Sequence, residues 1–278
     1  MGLTSPSGRS LRAVSNSVLL VIAVCFALPI LWLLVASLDT SATLSLTLPA
    51  SLSLQNFAEV MTPELAFVPL GNSLMLAGGC AIITVIVAVL AAYPLSRYRM
   101  RVNKPFLYGI LFGTCLPITA MMVPVYSLFV SLNLIDSLGG TVLFLAATSL
   151  PMAIWMMKNF MDSVPISLEE AAWMDGASML TTLSRVVVPL MRPGIAVVFI
   201  FVFIGAWGNF FVPFVLLLSP DKQPAAVSIF AFFGQHGTVA YGQLAAFSLV
   251  YSVPVLALYV FVSRVLGGGS ALAGAVKG

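Results

Sequence analysis

Residues Pro165 to Pro189 read PISLEEAAWMDGASMLTTLSRVVVP, a polar insert in a chain that is otherwise apolar over bilayer-length stretches. The insert holds Glu169, Glu170 and Asp175, three of the protein's nine acidic residues, and Asp162 lies just before it. An acidic segment fits lipid poorly when the cytoplasmic leaflet is itself negative. A helix lying on the headgroups is the plainer reading, and the acids count against it. A docked protein partner fits better.

The local chemistry predicts a short helix from about Leu168 to Asp175. Ser167-Leu168-Glu169-Glu170 reads as a capping box, in which Ser167 and Glu170 satisfy each other's backbone amides. Pro165 stops any helix arriving from upstream. Gly176 suits a left-handed C-terminal cap. Such a helix is roughly 12 Å long. Ala171 and Ala172 keep one side nearly flat, and Leu168, Ala172 and Asp175 or Gly176 share a face by helical spacing. A second amphipathic stretch, Ser178 to Val188, leads to Pro189.

Outside the insert, composition sets the class. The chain has 278 residues, 60% of them apolar and only 8% charged, whereas soluble domains are about 25% charged. It is a polytopic membrane protein with little expected β structure. A net charge of +3 is too small to suggest a nucleic-acid partner. Cys25, Cys80 and Cys115 match no metal or redox spacing and read as small apolar-site residues. His236 is the only histidine, so no zinc site or catalytic dyad is built on it.

Six apolar segments reach spanning length: about 17–37, 70–96, 106–130, 138–158, 194–219 and 240–265. The first is long for a signal-peptide core and reads as a retained helix. Pro117, Pro124, Pro213 and Pro254 fall inside spans, where membrane helices tolerate them as kinks. Arg9, Arg12, Arg97, Arg99, Arg101, Lys104, Lys158, Arg185, Arg192, Arg264 and Lys277 all fall on one side, and only Lys222 on the other. The positive-inside rule makes the first side the cytoplasm, with both termini there. The expected fold is all-α with six transmembrane helices. Its expected parts are a cytoplasmic tail over 1–16, a permease domain over 17–266 that includes the segment 165–189, and a cytoplasmic tail over 267–278.

The spans hold almost no ionisable residues, which argues against a proton-coupled secondary transporter or a channel acting alone. No Ser/His, His/Glu or paired-Asp set within them supports an intramembrane enzyme. No Gly-x4-Gly-Lys-[Ser/Thr] loop is present, so the chain should bind no ATP itself.

Glu170-Ala171-Ala172, three residues, Gly176, nine residues, then Val186-Val187-Val188-Pro189 resembles the EAA signature of ABC importer permeases. Val186 and Val188 stand where that signature has Ile and Leu. The resemblance extends along the chain. Asn72-Ser73, Ala91-Ala92-Tyr93-Pro94-Leu95-Ser96-Arg97, Val123-Pro124-Val125-Tyr126, Leu132 to Ser137 and Leu150-Pro151 look like the carbohydrate-uptake branch. The tail Gly274 to Gly278 is similar to the maltose-type G-subunit permeases.

The resemblance implies one of two permease halves in a prokaryotic cell membrane. Its partners would be a second permease subunit, a cytosolic ABC ATPase dimer that binds ATP and Mg, and an extracytoplasmic solute-binding protein. The ATPase-coupling set would be Glu169, Glu170, Ala171, Ala172, Asp175, Gly176, Val186, Val188 and Pro189. Gly274, Lys277 and Gly278 would reach toward the ATPase. Trp207-Gly208-Asn209 looks like the family's Trp-Asn-acid segment but lacks the acid. Trp207, Asn209, Ser149 and Tyr251 are candidate solute-pathway residues, although for Asn209 an interhelical hydrogen bond is the stronger reading.

Overall fold

The computed structural model describes residues 6–45, 49, 51–233 and 239–267. His236, Gly274, Lys277 and Gly278 lie outside the described residues. Among the described residues the regular structure is entirely helical. Two units divide the chain: residues 1–66 with 229–252, and residues 67–228 with 253–278.

The first unit carries α1 (Pro6–Ser37), α2 (Gln55–Val60), a 3₁₀ segment over Ile229–Phe233 and the start of the last helix. From Val14 to Ser37, α1 is long and apolar enough to cross a bilayer. Its large side chains, among them Leu20, Phe26 and Ile30, are exposed. Only lipid or another chain can cover so long an apolar surface. At its end, Asn56 Nδ2 donates to the carbonyls of Ser37 (3.1 Å) and Asp39 (2.9 Å).

The second unit is built on α3 (Val68–Arg97), α6 (Leu138–Asp162) and α10 (Arg192–Trp207). A π-helical turn, Pro63–Phe67, leads into α3. Ala77, Ala81, Ala88 and Ala92 are fully buried along one face of α3. Small residues let helix backbones approach closely where no water drives association. A Cβ on Gly79 would sit 3.1 Å from Val142 of α6, and one on Gly194 of α10 would sit 2.7 Å from the Phe160 Cβ of α6. The remaining elements are α4 (Asn103–Gly113), α5 (Ile118–Ser131), α7 (Ile166–Met174), α8 (Met179–Thr182), α9 (Val188–Leu190), α11 (Phe211–Leu216), α12 (Ala225–Ser228) and α13 (Tyr241–Gly267), which starts in the first unit.

Four helical stretches are spans by length and composition: Val14–Ser37, Pro63–Arg97, Leu138–Asp162 and Tyr241–Arg264. Counting each of two bent helix pairs as one span would bring the number to six. Asn103–Gly113 and Ile118–Ser131 meet at 90°, and Met179–Leu190 meets Arg192–Trp207 at 79°. The third predicted span is therefore broken at Thr114–Pro117 rather than kinked: Pro117 is extended and caps α5. The fifth predicted span ends at Trp207, and α11 restarts beyond Gly208.

At the end of the unit away from α7, two loops are stitched together. Asp136 sits at φ 60 and Asn133 at φ 54, which folds the α5–α6 loop tightly. Asp136 Oδ1 accepts from the amides of Leu218 and Ser219, both at 3.0 Å. Its Oδ2 accepts from Ser219 Oγ (2.6 Å) and Lys222 Nζ (2.8 Å). Asn72 Nδ2 donates to the carbonyls of Asp221 and Gln223, and Ser73 Oγ accepts from the Ala225 amide. The Leu132–Ser137 and Asn72-Ser73 stretches thus hold the loops around α11 and the 3₁₀ turn Pro220–Lys222 in place.

Candidate functional site

The segment singled out by sequence folds as two helical pieces around a tight corner. α7 starts at Ile166, and Pro165, in an extended conformation, is its N-cap with no side-chain hydrogen bond. The capping box expected at Ser167 and Glu170 is not formed. The helix begins two residues earlier than predicted, so both residues already lie inside its first turns and are exposed.

The C-terminal expectation is met. Gly176 has φ +81. Its amide donates to Trp173 O (3.0 Å), and that of Ala177 to Ala172 O (3.0 Å). This 5→2 and 6→1 pair closes α7 in a Schellman motif. Ser178 then caps α8 by accepting from the Thr181 amide. A π-helical turn, Leu183–Val187, joins α8 to α9. The extra residue in a π turn shifts the helical register. Val187 is fully buried, whereas Val186, Val188 and Pro189 are half-buried.

Glu169 takes a different place from its neighbours. Its side chain is 0% exposed and ion-paired with Arg97 Nε at 2.5 Å, and that arginine is 5% exposed. Tyr93 O–H donates to the other carboxylate oxygen at 2.8 Å. Arg97 also donates to the Val164 carbonyl (3.1 Å) and to Ser96 Oγ (3.2 Å), and Ser96 donates to Asp162 (2.6 Å). Every acceptor of this buried carboxylate faces a donor, which offsets the cost of removing the ions from water. Glu169 was expected only as a member of the ATPase-coupling set. The structure turns it inward, where it fastens α7 to the last turn of α3.

Tyr93 and Arg97 were missed as members of the site. They are four residues apart, so both leave the same face of α3 at the end of an apolar span, and that spacing was a usable signal.

The other side of α7 is open. Glu170, Ala171 and Asp175 are exposed, and Ala172 is half-buried beside Glu169. Ile166, Leu168, Trp173, Met174, Met179 and Leu180 are also exposed, Met174 to 88%. A polar corner with this much uncovered apolar surface is the usual mark of an interaction site.

Within the second unit, the candidate pathway residues Ser149, Trp207 and Asn209 have different surroundings. Ser149 lines a groove of about 490 Å³ with Thr114, Thr148, Met152, Phe201 and Gly205, next to the α4–α5 break. Its hydroxyl donates to the Leu145 carbonyl at 2.8 Å. Trp207 is 3% exposed and stacks on Phe203, with centroids 5.7 Å apart. Asn209 Oδ1 accepts from the Val212 amide at 3.1 Å and so starts α11 locally, which differs from the interhelical bond considered from sequence. Tyr251 belongs to the first unit, stacked on Phe247.

Residues 84–267 match the family model described as binding-protein-dependent transport system inner membrane component. The chain belongs to this family. It is a multi-pass inner-membrane transport component of the ABC importer permease type, not an ATPase. A putative ABC transporter permease protein, ORF1 of Streptomyces antibioticus, is 38% identical over 74% of this chain and 89% of that protein. The sulfoquinovosyl glycerol transport system permease protein SmoH of Agrobacterium fabrum is 31% identical over 98% of this chain and 95% of its own. The glucose import system permease protein GlcU of Saccharolobus solfataricus is 30% identical over 94% of each. The same fold occurs in a chain of a bacterial ABC transporter involved in import of the acidic polysaccharide alginate: the TM-score is 0.81 at 24% identity, covering 95% of this chain and 99% of that one.

Proposed function

We propose that this permease is one of two membrane halves of an ATP-driven sugar importer, and that the α7–α9 segment is where a cytosolic ATPase docks and drives it. The observation that carries the reading is the two-sided build of α7. One side is locked to α3 through Glu169, while the other leaves Glu170, Ala171, Trp173 and Met174 uncovered. A short helix held this way passes a push to the spans instead of absorbing it.

Relatives named for sulfoquinovosyl glycerol, glucose and trehalose transport support a sugar or similar polar solute. A structural neighbour of 0.69 TM-score comes from an alginate transporter in complex with a pentasaccharide-bound periplasmic protein, which supports a solute-binding protein as partner here. In this reading the α7 end lies in the cytosol, ATP and Mg are bound by the ATPase, and a second permease subunit completes the pathway. The groove holding Thr114, Thr148 and Ser149 is this half's polar contribution to that pathway.

The test is co-purification in mild detergent, then ATPase and uptake assays with the binding protein and a panel of sugars. Gly176→Asp should leave the protein inserted and abolish uptake. Normal uptake by that variant refutes the docking role. A chain that purifies alone and still transports refutes the importer assignment.

A further inference from the structure

At the α7 end of the second unit, beside but separate from the docking corner, lies a cavity of about 580 Å³ between the α3–α4 link, α4 and α6. Arg99, Arg101, Lys104 and Lys158 line it, with Tyr108 and Trp155. Among the described residues, Lys158 is ion-paired with Asp162, while Arg99, Arg101 and Lys104 have no ion-pair partner. Three uncompensated cations therefore converge on one recess. The N-terminus of α4, an 11-residue helix starting at Asn103, adds the positive end of its helix dipole to the same field. The recess is held in shape by Asn103, whose Nδ2 donates to the carbonyls of Leu95 (3.2 Å) and Tyr98 (2.6 Å).

The surface leading away from the cations is apolar. Tyr108 and Phe112, four residues apart on one face of α4, are both exposed, Phe112 to 74%. Trp155 and Tyr108 are the residue types that settle at the membrane–water boundary. Cations at the boundary with an apolar track below them match a molecule that is anionic at one end and hydrocarbon at the other. A soluble anion would use the cations and leave the track bare.

We infer that this recess is a binding site for an anionic phospholipid of the leaflet that meets the α7 end. The phosphate and headgroup sit among Arg99, Arg101 and Lys104, and the acyl chains lie along α4. Basic pockets between spans on the cytoplasmic side are suited to such headgroups, each cation near the surface contributing about fivefold in affinity.

The full-length chain, with whatever subunits co-purify, is placed in bilayers of phosphatidylcholine with or without phosphatidylglycerol. Retained lipid is then measured by native mass spectrometry. Wild type should keep phosphatidylglycerol in strong preference to phosphatidylcholine. Arg99→Gln, Arg101→Gln and Lys104→Gln together should reduce that preference on the order of 100-fold. Arg99→Lys with Arg101→Lys keeps the charge and should retain most of it, which separates lost binding from misfolding or inverted insertion. Equal retention of the two lipids by wild type, unchanged preference in the triple Gln variant, or displacement of the lipid by inorganic phosphate alone would each overturn the inference.

Discussion

Removing Glu169 should destabilise the α7 corner far more than its exposed neighbour Glu170 does. In Glu169→Ala the Arg97 guanidinium, 5% exposed, loses its counter-ion and keeps only Ser96 Oγ and the Val164 carbonyl. Breaking a buried pair from one side costs about 3–5 kcal/mol, a factor of roughly 10² to 10⁴ in the folding equilibrium. Arg97→Met should cost a similar amount, because it strands the carboxylate with Tyr93 as its remaining donor. The double replacement Arg97→Met/Glu169→Leu removes both charges together. It should cost less than either single change, since a matched apolar pair avoids the desolvation penalty. Tyr93→Phe leaves the ion pair intact and should cost about 1.5–3 kcal/mol, the range for a hydrogen bond to a charged group. The assay is unfolding in mixed micelles across this double-mutant cycle, with Glu170→Ala as the exposed control, expected within about 0.5 kcal/mol of wild type. Strictly additive single and double costs, or a Glu169→Ala cost below about 1 kcal/mol, would refute the account of a buried, coupled joint.

Gly176→Ala forces a Cβ onto a residue at φ +81 and should cost about 1–2 kcal/mol, although the space around it is open; an equal effect at Gly205, in ordinary helix, would show that backbone geometry is not the cause. Gly194→Ala meets the Phe160 Cβ at 2.7 Å and should cost about 1–3 kcal/mol through overpacking; Phe160→Ala removes the ring atoms but keeps that Cβ, so in the same chain it should relieve only part of the clash, and unfolding midpoints of the single and double variants decide this. The Asp136 staple should be acid-sensitive. Hydrogen bonds from Lys222 first, then Ser219, hold its carboxyl well below the usual range, so its contribution is present above about pH 4 and is lost as pH falls through the depressed folded value. The bond to Asp136 raises Lys222, so that side is lost only as pH rises above about 10. The midpoint difference between wild type and Asp136→Asn should shrink as pH drops from about 6 to below 4, and a constant difference would contradict the linkage.

The apolar lengths made the spans legible, because a bilayer demands them whatever the side chains do. Helix α6 ends within a few residues of its predicted bound, and so do α3 and α13. What length does not carry is backbone direction. The break at Thr114–Pro117 and the stop at Gly208 sit within apolar runs that hydropathy reads as continuous. The corner after α7 was visible because Gly176 has a backbone requirement that only its residue type meets easily. The burial of Glu169 was not legible, for the opposite reason. A carboxylate in a polar insert reads as exposed, and its burial depends on Tyr93 and Arg97, more than seventy residues away in the chain. In the same way the partners of Asp136 lie 82 to 86 residues downstream, beyond any local pattern.

The Asp136 contacts close the chain from the start of α6 to the end of α11 into a ring, 82 residues around, with α7 near its midpoint and the knot at the opposite pole. A ring fixed at one pole and pushed at the other moves as a lever about a fulcrum. Displacement of α7 therefore swings α6 and α10 together, by an amount that falls toward zero at Asp136. The same closure means that a single cut between α7 and α8 would leave both fragments tethered, so the ring can lose its covalent continuity at the α7 pole without losing the Asp136 knot.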